Sequence, residues 1–182
     1  MNREQVLTRL VTFEGSVNHM YRCTGGEVTA GVGHAIPVSA DALRLDWQIN
    51  GRKASALEIS SDFASVRAAA KGMLPSHYEP LSVCRLSENF LTQLANEDIA
   101  AVEAALTRAF PAWHSYPEPG QEALFDMAFN LGMAGLRKFP KLLAAVTAGD
   151  WATAAAECER QGISPARNEA TAALFRSASE SE

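Results

Sequence analysis

The chain has 182 residues, 47% of them apolar and 20% charged, the composition of a folded globular protein of about one domain. That composition excludes a disordered tail, a collagen-like repeat and a coiled-coil rod, and no apolar run is long enough to cross a bilayer. The net charge is −5 with no strongly basic region, which disfavours nucleic-acid binding driven by counterion release.

The first predicted element is a helix from about Asn2 to Phe13. Asn2 and Gln5 resemble a capping box, Val6, Leu7, Leu10 and Val11 form an apolar stripe, and Gly15 is the stop. Glu14 therefore stands where a helix gives way to a loop. The opening Met1-Asn2-Arg3-Glu4-Gln5 has no apolar signal core, so a cleaved secretion signal is not expected. Gly25-Gly26, between Met20–Cys23 and Val28–His34, signals a β-hairpin. In the second run Val28, Ala30 and Val32 share one face, and Thr29, Gly31 and Gly33 the other. A face of one hydroxyl and two glycines packs poorly but lets a ligand approach the backbone.

Residues 36–86 are read only in part. Ile49-Asn50-Gly51-Arg52 reads as a turn. Ala56 to Lys71 reads as a helix with Ile59, Phe63, Val66 and Ala70 on its stripe and Gly72 after it. Pro75 to Pro80 reads as a loop. Ser87 caps a helix running to about Ala109, and Pro111 to Gly120 reads as a loop. Helices are then predicted from about Gln121 to Leu131, stopped by Gly132, and from about Gly135 to Ala148, with Pro140 delaying its regular part. Asp150 caps a helix from Trp151 to Gln161. Ser164-Pro165 opens the last one, which frays over Ser177 to Glu182. These elements make an α+β, mainly α, fold. Cys23, Cys84 and Cys158 are odd in number and far apart, without a CxxC pair, so three reduced thiols are expected, with no metal site, no disulfide framework and no cofactor.

Taken alone, Glu14, Cys23 and Thr29 are ordinary residues: a surface carboxylate, a small buried thiol and a strand hydroxyl. Jointly they form a pattern. Glu14, eight residues, Cys23, five residues and Thr29, with Tyr21 before and Gly31-Val32-Gly33-His34 after, resemble the phage-type lysozymes of glycoside hydrolase family 24. Ala128-Phe129-Asn130-Leu131-Gly132, Gly149-Asp150-Trp151 and Gly162-Ile163-Ser164-Pro165-Ala166-Arg167-Asn168 are similar to later segments of that family. The likeness covers residues 1–35 and about 87–178 and is weak over 36–86. It implies a single lysozyme-like domain with two lobes and a cleft between them: a small N-terminal hairpin lobe over about 14–86 and a helical lobe from about 1–13 and 87–178.

The resemblance also implies roles. Glycosidic cleavage needs a proton for the leaving oxygen and a nucleophile at the anomeric carbon. Glu14 is implied as the general acid, a task that asks for a protonated carboxyl and is favoured by desolvation. The second group is usually an aspartate in the family and is Cys23 here. A free thiol, with an ordinary pKa of about 8.5, is only about a few per cent ionised at neutral pH. Cys23 therefore either holds a water together with Thr29, the reading we prefer, or attacks as a thiolate. Inversion at the anomeric carbon is what the family implies. On one face of the hairpin, Cys23 and Thr29 require a bulge or a loop longer than two residues. Asn130, Arg167, Tyr21 and His34 are the expected substrate-binding and supporting residues, Arg167 through pairing with Glu14, Tyr21 and His34 more by organising the hairpin.

The implied activity is that of a peptidoglycan muramidase, cutting the β-1,4 bond between N-acetylmuramic acid and N-acetylglucosamine in the cell wall after synthesis in the cytoplasm without a signal peptide. The alternatives are a non-catalytic peptidoglycan-binding module on the same scaffold and, ranked lowest, a cysteine amidase or peptidase using Cys23 and His34. The expected partners are glycan strands and, for an effector or bacteriocin-like member, an immunity or inhibitor protein. Nucleic acid and membrane insertion are not expected, and the chain is expected to be a monomer.

Overall fold

The computed structural model describes residues 1–180. The chain is α+β and mainly helical, and it divides into two compact units, one of residues 10–98 and one of residues 1–9 with 99–182.

The 10–98 unit begins inside helix α1, Arg3–Glu14. Asn2 caps α1 through Oδ1, which accepts from Glu4 N and Gln5 N at 3.1 and 3.2 Å. Strands β1 (Val17–Arg22), β2 (Val28–Gly31) and β3 (His34–Ile36) form an antiparallel sheet in that order. The run Val28–His34, expected as one strand, is broken: a turn at Val32–Gly33 sends the chain back so that β3 pairs with β2. Helix α2 (Ser39–Ala42) follows, then the ribbon β4 (Gln48–Ile49) and β5 (Arg52–Lys53) around the expected turn, and helix α3 (Ala56–Ala68). α3 stops three residues short of Lys71, because Ala69 O accepts from Arg22 Nη1 at 2.7 Å and Ala70 O from the Tyr78 hydroxyl at 2.5 Å instead of from a further helical turn.

Pro75 to Pro80 is not the expected loop. It forms helix α4 (Pro75–Tyr78) and a 3-10 turn, Glu79–Leu81. Each proline sits in a first turn, where its missing N–H leaves no hydrogen bond unmade. The core of this unit joins Met20, Val28, Ala30 and Ile36 of the sheet to Trp47, Ile59, Val66, Tyr78 and Leu86 of the intervening segment, with Leu91 and Leu94 of helix α5 (Glu88–Ala109).

The other unit is helical. α6 (Glu118–Leu136) starts three residues before the expected Gln121, again with a proline, Pro119, in the first turn. Its helical path breaks at Gly132, whose φ of 66° and ψ of 166° lie outside the range of most side-chain-bearing residues. α7 (Pro140–Ala148), α8 (Trp151–Ala156) and α9 (Pro165–Ser179) complete it, with α9 packed on α6 and α8. α8 ends well before Gln161. The Arg160 backbone and side chain both donate to Asn168 Oδ1 at 3.2 Å, and Asn168 Nδ2 donates back to Arg160 O at 2.8 Å, which turns this stretch away from the helix axis. Of the expected frayed end, Ser177 to Ser179 are helical, and Ser181 and Glu182 lie outside the described residues.

The polar centre of this unit is Asp126 on α6. Its Oδ1 accepts from Arg167 Nε and Nη2 at 3.1 and 2.9 Å, and Thr171 Oγ1 lies 2.8 Å from Oδ2. Arg160 Nη1 stands 2.9 Å from Oδ2, a charge contact without hydrogen-bond alignment. Burial alone would raise the Asp126 pKa; the hydrogen bond and charge of Arg167, the charge of Arg160 and the Thr171 hydroxyl outweigh it and hold the carboxyl below its ordinary range. The stability this provides is present above the unfolded value of about 4 and is lost as pH falls through the lower folded value. Asp126→Asn is expected to cost about 3–5 kcal/mol, because it leaves buried guanidinium groups without their counter-charge. It should also flatten the loss of stability below about pH 4; denaturant titrations of both proteins between pH 3 and 7 measure the two effects.

Candidate active site

The site is built around the hairpin loop. Gly26 N donates to Cys23 O at 2.9 Å, and Cys23 N donates to Glu27 O at 3.0 Å. These bonds close a loop of three residues, Thr24-Gly25-Gly26, with Gly26 left-handed at φ 94°. This is a turn followed by a one-residue bulge, a form that needs glycine at the bulge. A Cβ at position 26 would also lie 3.4 Å from Lys71 Cδ and 3.6 Å from Arg22 Nη2.

The loop sets the register. Arg22 pairs with Val28 and Tyr21 with Thr29. Residues opposite each other, and residues two apart, share a face, so Tyr21, Cys23 and Thr29 lie on one face of β1 and β2. A two-residue loop would have paired Cys23 with Val28 and turned it to the other side. The extra loop residue that the spacing demanded is present. A second irregularity, between Val17 and Tyr21, absorbs the rest of β1: Val17 pairs with Gly31.

Glu14 stands at the entry to β1. It is the last residue of α1, and Gly15, left-handed at φ 74°, closes the helix by donating to Val11 O at 3.0 Å. Only Gly15 and Ser16 separate the helix from β1. The Tyr21 hydroxyl connects the groups electrostatically: it is pushed up to about 12, first by burial and then by the negative charges of Glu14 and Cys23. Thr29 is buried and its hydroxyl donates to Glu27 O at 3.3 Å. Glu14, Tyr21 and Cys23 are partly exposed. The charges of Glu14 and Cys23 are thus both felt at the Tyr21 phenol, and Tyr21 stands opposite Thr29 in the register.

The supporting residues are placed as follows. His34 begins β3 in register with Ala30, and its Nδ1 lies 3.0 Å from both carboxylate oxygens of Asp98 on α5, which ties the sheet edge to that helix. Asn130 and Arg167 belong to the helical unit. Asn130 precedes the break in α6 by two residues, and its Oδ1 is buried without a hydrogen-bond partner. Arg167 is buried in the first turn of α9 with its guanidinium forked onto Asp126. Sequence reading passed over Glu27, which stands across from Cys23 and pairs with Arg67 Nη1 at 3.1 Å. Its position opposite the thiol follows from the loop length alone. Among the described residues no group of histidines, cysteines and carboxylates is arranged to hold a metal ion.

The three thiols differ in environment. Cys84 and Cys158 are buried. Burial, with the neighbouring Asp62 hydrogen bond and charge, pushes the Cys84 thiol up to about 12, and burial also raises Cys158. Titration of the native protein with a disulfide reagent at pH 8 is therefore expected to modify Cys23 alone, with the other two reacting only on unfolding. Reaction of the wild type at the same rate as Cys23→Ala would contradict this assignment. A second expectation concerns the His34–Asp98 pair. Both side chains are about a quarter exposed, so His34→Asn should cost no more than about 1 kcal/mol of stability in a thermal or denaturant melt.

The family model for phage lysozyme matches residues 11–177. A stretch of 63 residues is 35% identical to the pre-baseplate central spike protein Gp5 of Enterobacteria phage T4, covering 33% of this chain and 11% of that protein. The chain thus matches about a tenth of the length of that curated relative. The helix end at Glu14, the hairpin that aligns Cys23 with Thr29 and the helices through α9 all lie inside the matched range, and the chain belongs to the phage lysozyme family.

Proposed function

We propose that the protein is a peptidoglycan muramidase that hydrolyses the β-1,4 bond between N-acetylmuramic acid and N-acetylglucosamine. Membership of the phage lysozyme family supports glycoside hydrolysis of the cell wall in general. The observation that carries the assignment to particular residues is the register of the hairpin, which lines Cys23 up with Thr29 beside Tyr21.

In this reading Glu14 gives its proton to the bridging glycosidic oxygen as the bond to the anomeric carbon breaks. A water held by the Cys23 sulfur and the Thr29 hydroxyl adds to that carbon from the opposite side, so the configuration inverts. The proton released by the water restores the acid form of Glu14 through solvent, and the cycle balances. Tyr21 keeps the carboxyl and the thiol at their spacing. Such an enzyme acts on the wall and needs delivery to it. The long 36–86 segment favours an effector-like member, which would be paired with an immunity protein in its producer.

Digestion of purified peptidoglycan, with reducing ends counted and fragments identified by mass spectrometry, tests the proposal. The wild type should release fragments ending in reducing N-acetylmuramic acid. Glu14→Gln should lower the rate by about 10²–10⁴-fold, the usual contribution of a positioned proton donor. Cys23→Ala should lower it less, and Cys23→Asp should equal or exceed the wild type at pH 7, because a carboxylate is ionised there and binds the water more strongly. Equal release by the wild type and Glu14→Gln would overturn the assignment. Binding to insoluble wall without soluble products would replace it with a non-catalytic wall-binding module, and new amino groups would point to an amidase.

A further inference from the structure

The three residues of the hairpin loop are held in different ways. Thr24 abuts the segment that follows α3: a Cβ on Gly72 would stand 3.5 Å from Thr24 Cα, and Gly72 N donates to Arg22 O at 3.1 Å. Gly26 is buried and left-handed. Its N–H donates to Cys23 O, and its carbonyl accepts from Arg22 Nε at 2.9 Å. The same guanidinium donates through Nη1 to Ala69 O at 2.7 Å. Both ends of the loop are therefore fastened, to β1 and to the end of α3, and the loop has little freedom to swing away from Cys23.

Gly25, between them, is exposed and its φ is not left-handed. Residues with side chains adopt such a conformation in turns, so the backbone does not call for glycine here as it does at Gly26. Glycine at such a position costs stability relative to alanine, because it widens the unfolded ensemble. A Cβ built on Gly25 would have one neighbour within 4 Å beyond the adjoining residues, the Cys23 sulfur, at 3.6 Å. A methyl group there would occupy a place that a water can take against the thiol, which is itself a weak donor and acceptor. With the loop ends fastened, that overlap could not be relieved by a shift of the chain.

We infer that Gly25 is a positioning residue for the reaction: by lacking a side chain it leaves the outer flank of the Cys23 sulfur open to water, and through that sulfur it governs how well the attacking water is held. The inference rests on the muramidase reading for its catalytic part. The opening itself belongs to the loop, and thiol chemistry reads it without any glycan.

Gly25→Ala and Gly25→Leu test it. Alanine should raise the melting temperature by about 1–3 °C, since it narrows the unfolded ensemble without straining the turn. The Cys23 thiol of the folded protein, followed with an aromatic disulfide reagent between about pH 6 and 10, should react more slowly at its high-pH limit in Gly25→Ala and more slowly still in Gly25→Leu. The midpoint of the profile should stay in place, because approach and not ionisation is altered. Release of reducing ends from peptidoglycan should fall about 2–10-fold in Gly25→Ala, the worth of one hydrogen bond to the water. That loss should vanish on a Cys23→Ala background, because it runs through the sulfur. An equal thiol rate in all three proteins overturns the inference, as does a melting temperature lowered by alanine, a shielded thiol with unchanged hydrolysis, or the same loss of hydrolysis with and without Cys23. If the wild type releases no reducing ends, the muramidase reading fails instead, and the thiol rates and melting temperatures alone decide whether Gly25 holds the sulfur open.

Discussion

The hydrogen bond from Cys23 N to Glu27 O fixes which side of the sheet the thiol occupies. Strand faces alternate with a period of two, so a loop shorter by one residue would move Cys23 away from Thr29 and Tyr21 without altering a single side chain. Gly26 makes the bond possible by taking the left-handed conformation between them. The proposed partnership of Cys23 with Thr29 follows from this register. The carboxyl arrives by a different device, a helix that ends at Glu14 and a left-handed glycine that hands the chain to β1. Two left-handed glycines thus fix where Glu14 leaves its helix and where Cys23 meets β2.

The segment between β3 and α5 buttresses that arrangement. The Tyr78 hydroxyl lies between Arg22 O and Ala70 O, at 2.9 and 2.5 Å, and accepts from Met73 N. Leu86 N donates to Asn18 O at 2.8 Å, and Gln48 bridges to Arg85. Trp47, fully buried, donates its indole N–H to Ala42 O. The hairpin has a core to pack on because this segment supplies most of it. The same segment brings Arg67 and Lys71 against the loop.

Its sequence was the least legible part of the chain, for a physical reason. Two-residue strands and four-residue helices are shorter than the period by which a helix or strand declares itself. Ser55 and Glu58 did carry a readable signal, since the Ser55 hydroxyl accepts from Glu58 N while Ser55 N donates to the Glu58 carboxylate. By contrast Asn2, Asp150 and Ser164 announced their helices by local capping chemistry that depends on neighbours a few residues away. Asp126 announced nothing. Its partners Arg167 and Thr171 lie 41 and 45 residues along the chain, and no local rule links a carboxylate to cations that far off. For the site, the spacing of Glu14, Cys23 and Thr29 was legible, and so was the demand for an extra loop residue. The Glu27–Arg67 pair required the register and the end of α3 to be known.

The sulfur at the corner of the hairpin also bears on descent. Cysteine codons and aspartate codons differ at both of their first positions, so no single nucleotide change converts one into the other. The shortest mutational routes run through glycine, which has no side chain, or tyrosine, which is far larger than the thiol. Exchange of this thiol for a carboxylate therefore takes at least two nucleotide changes and passes through a residue of quite different size.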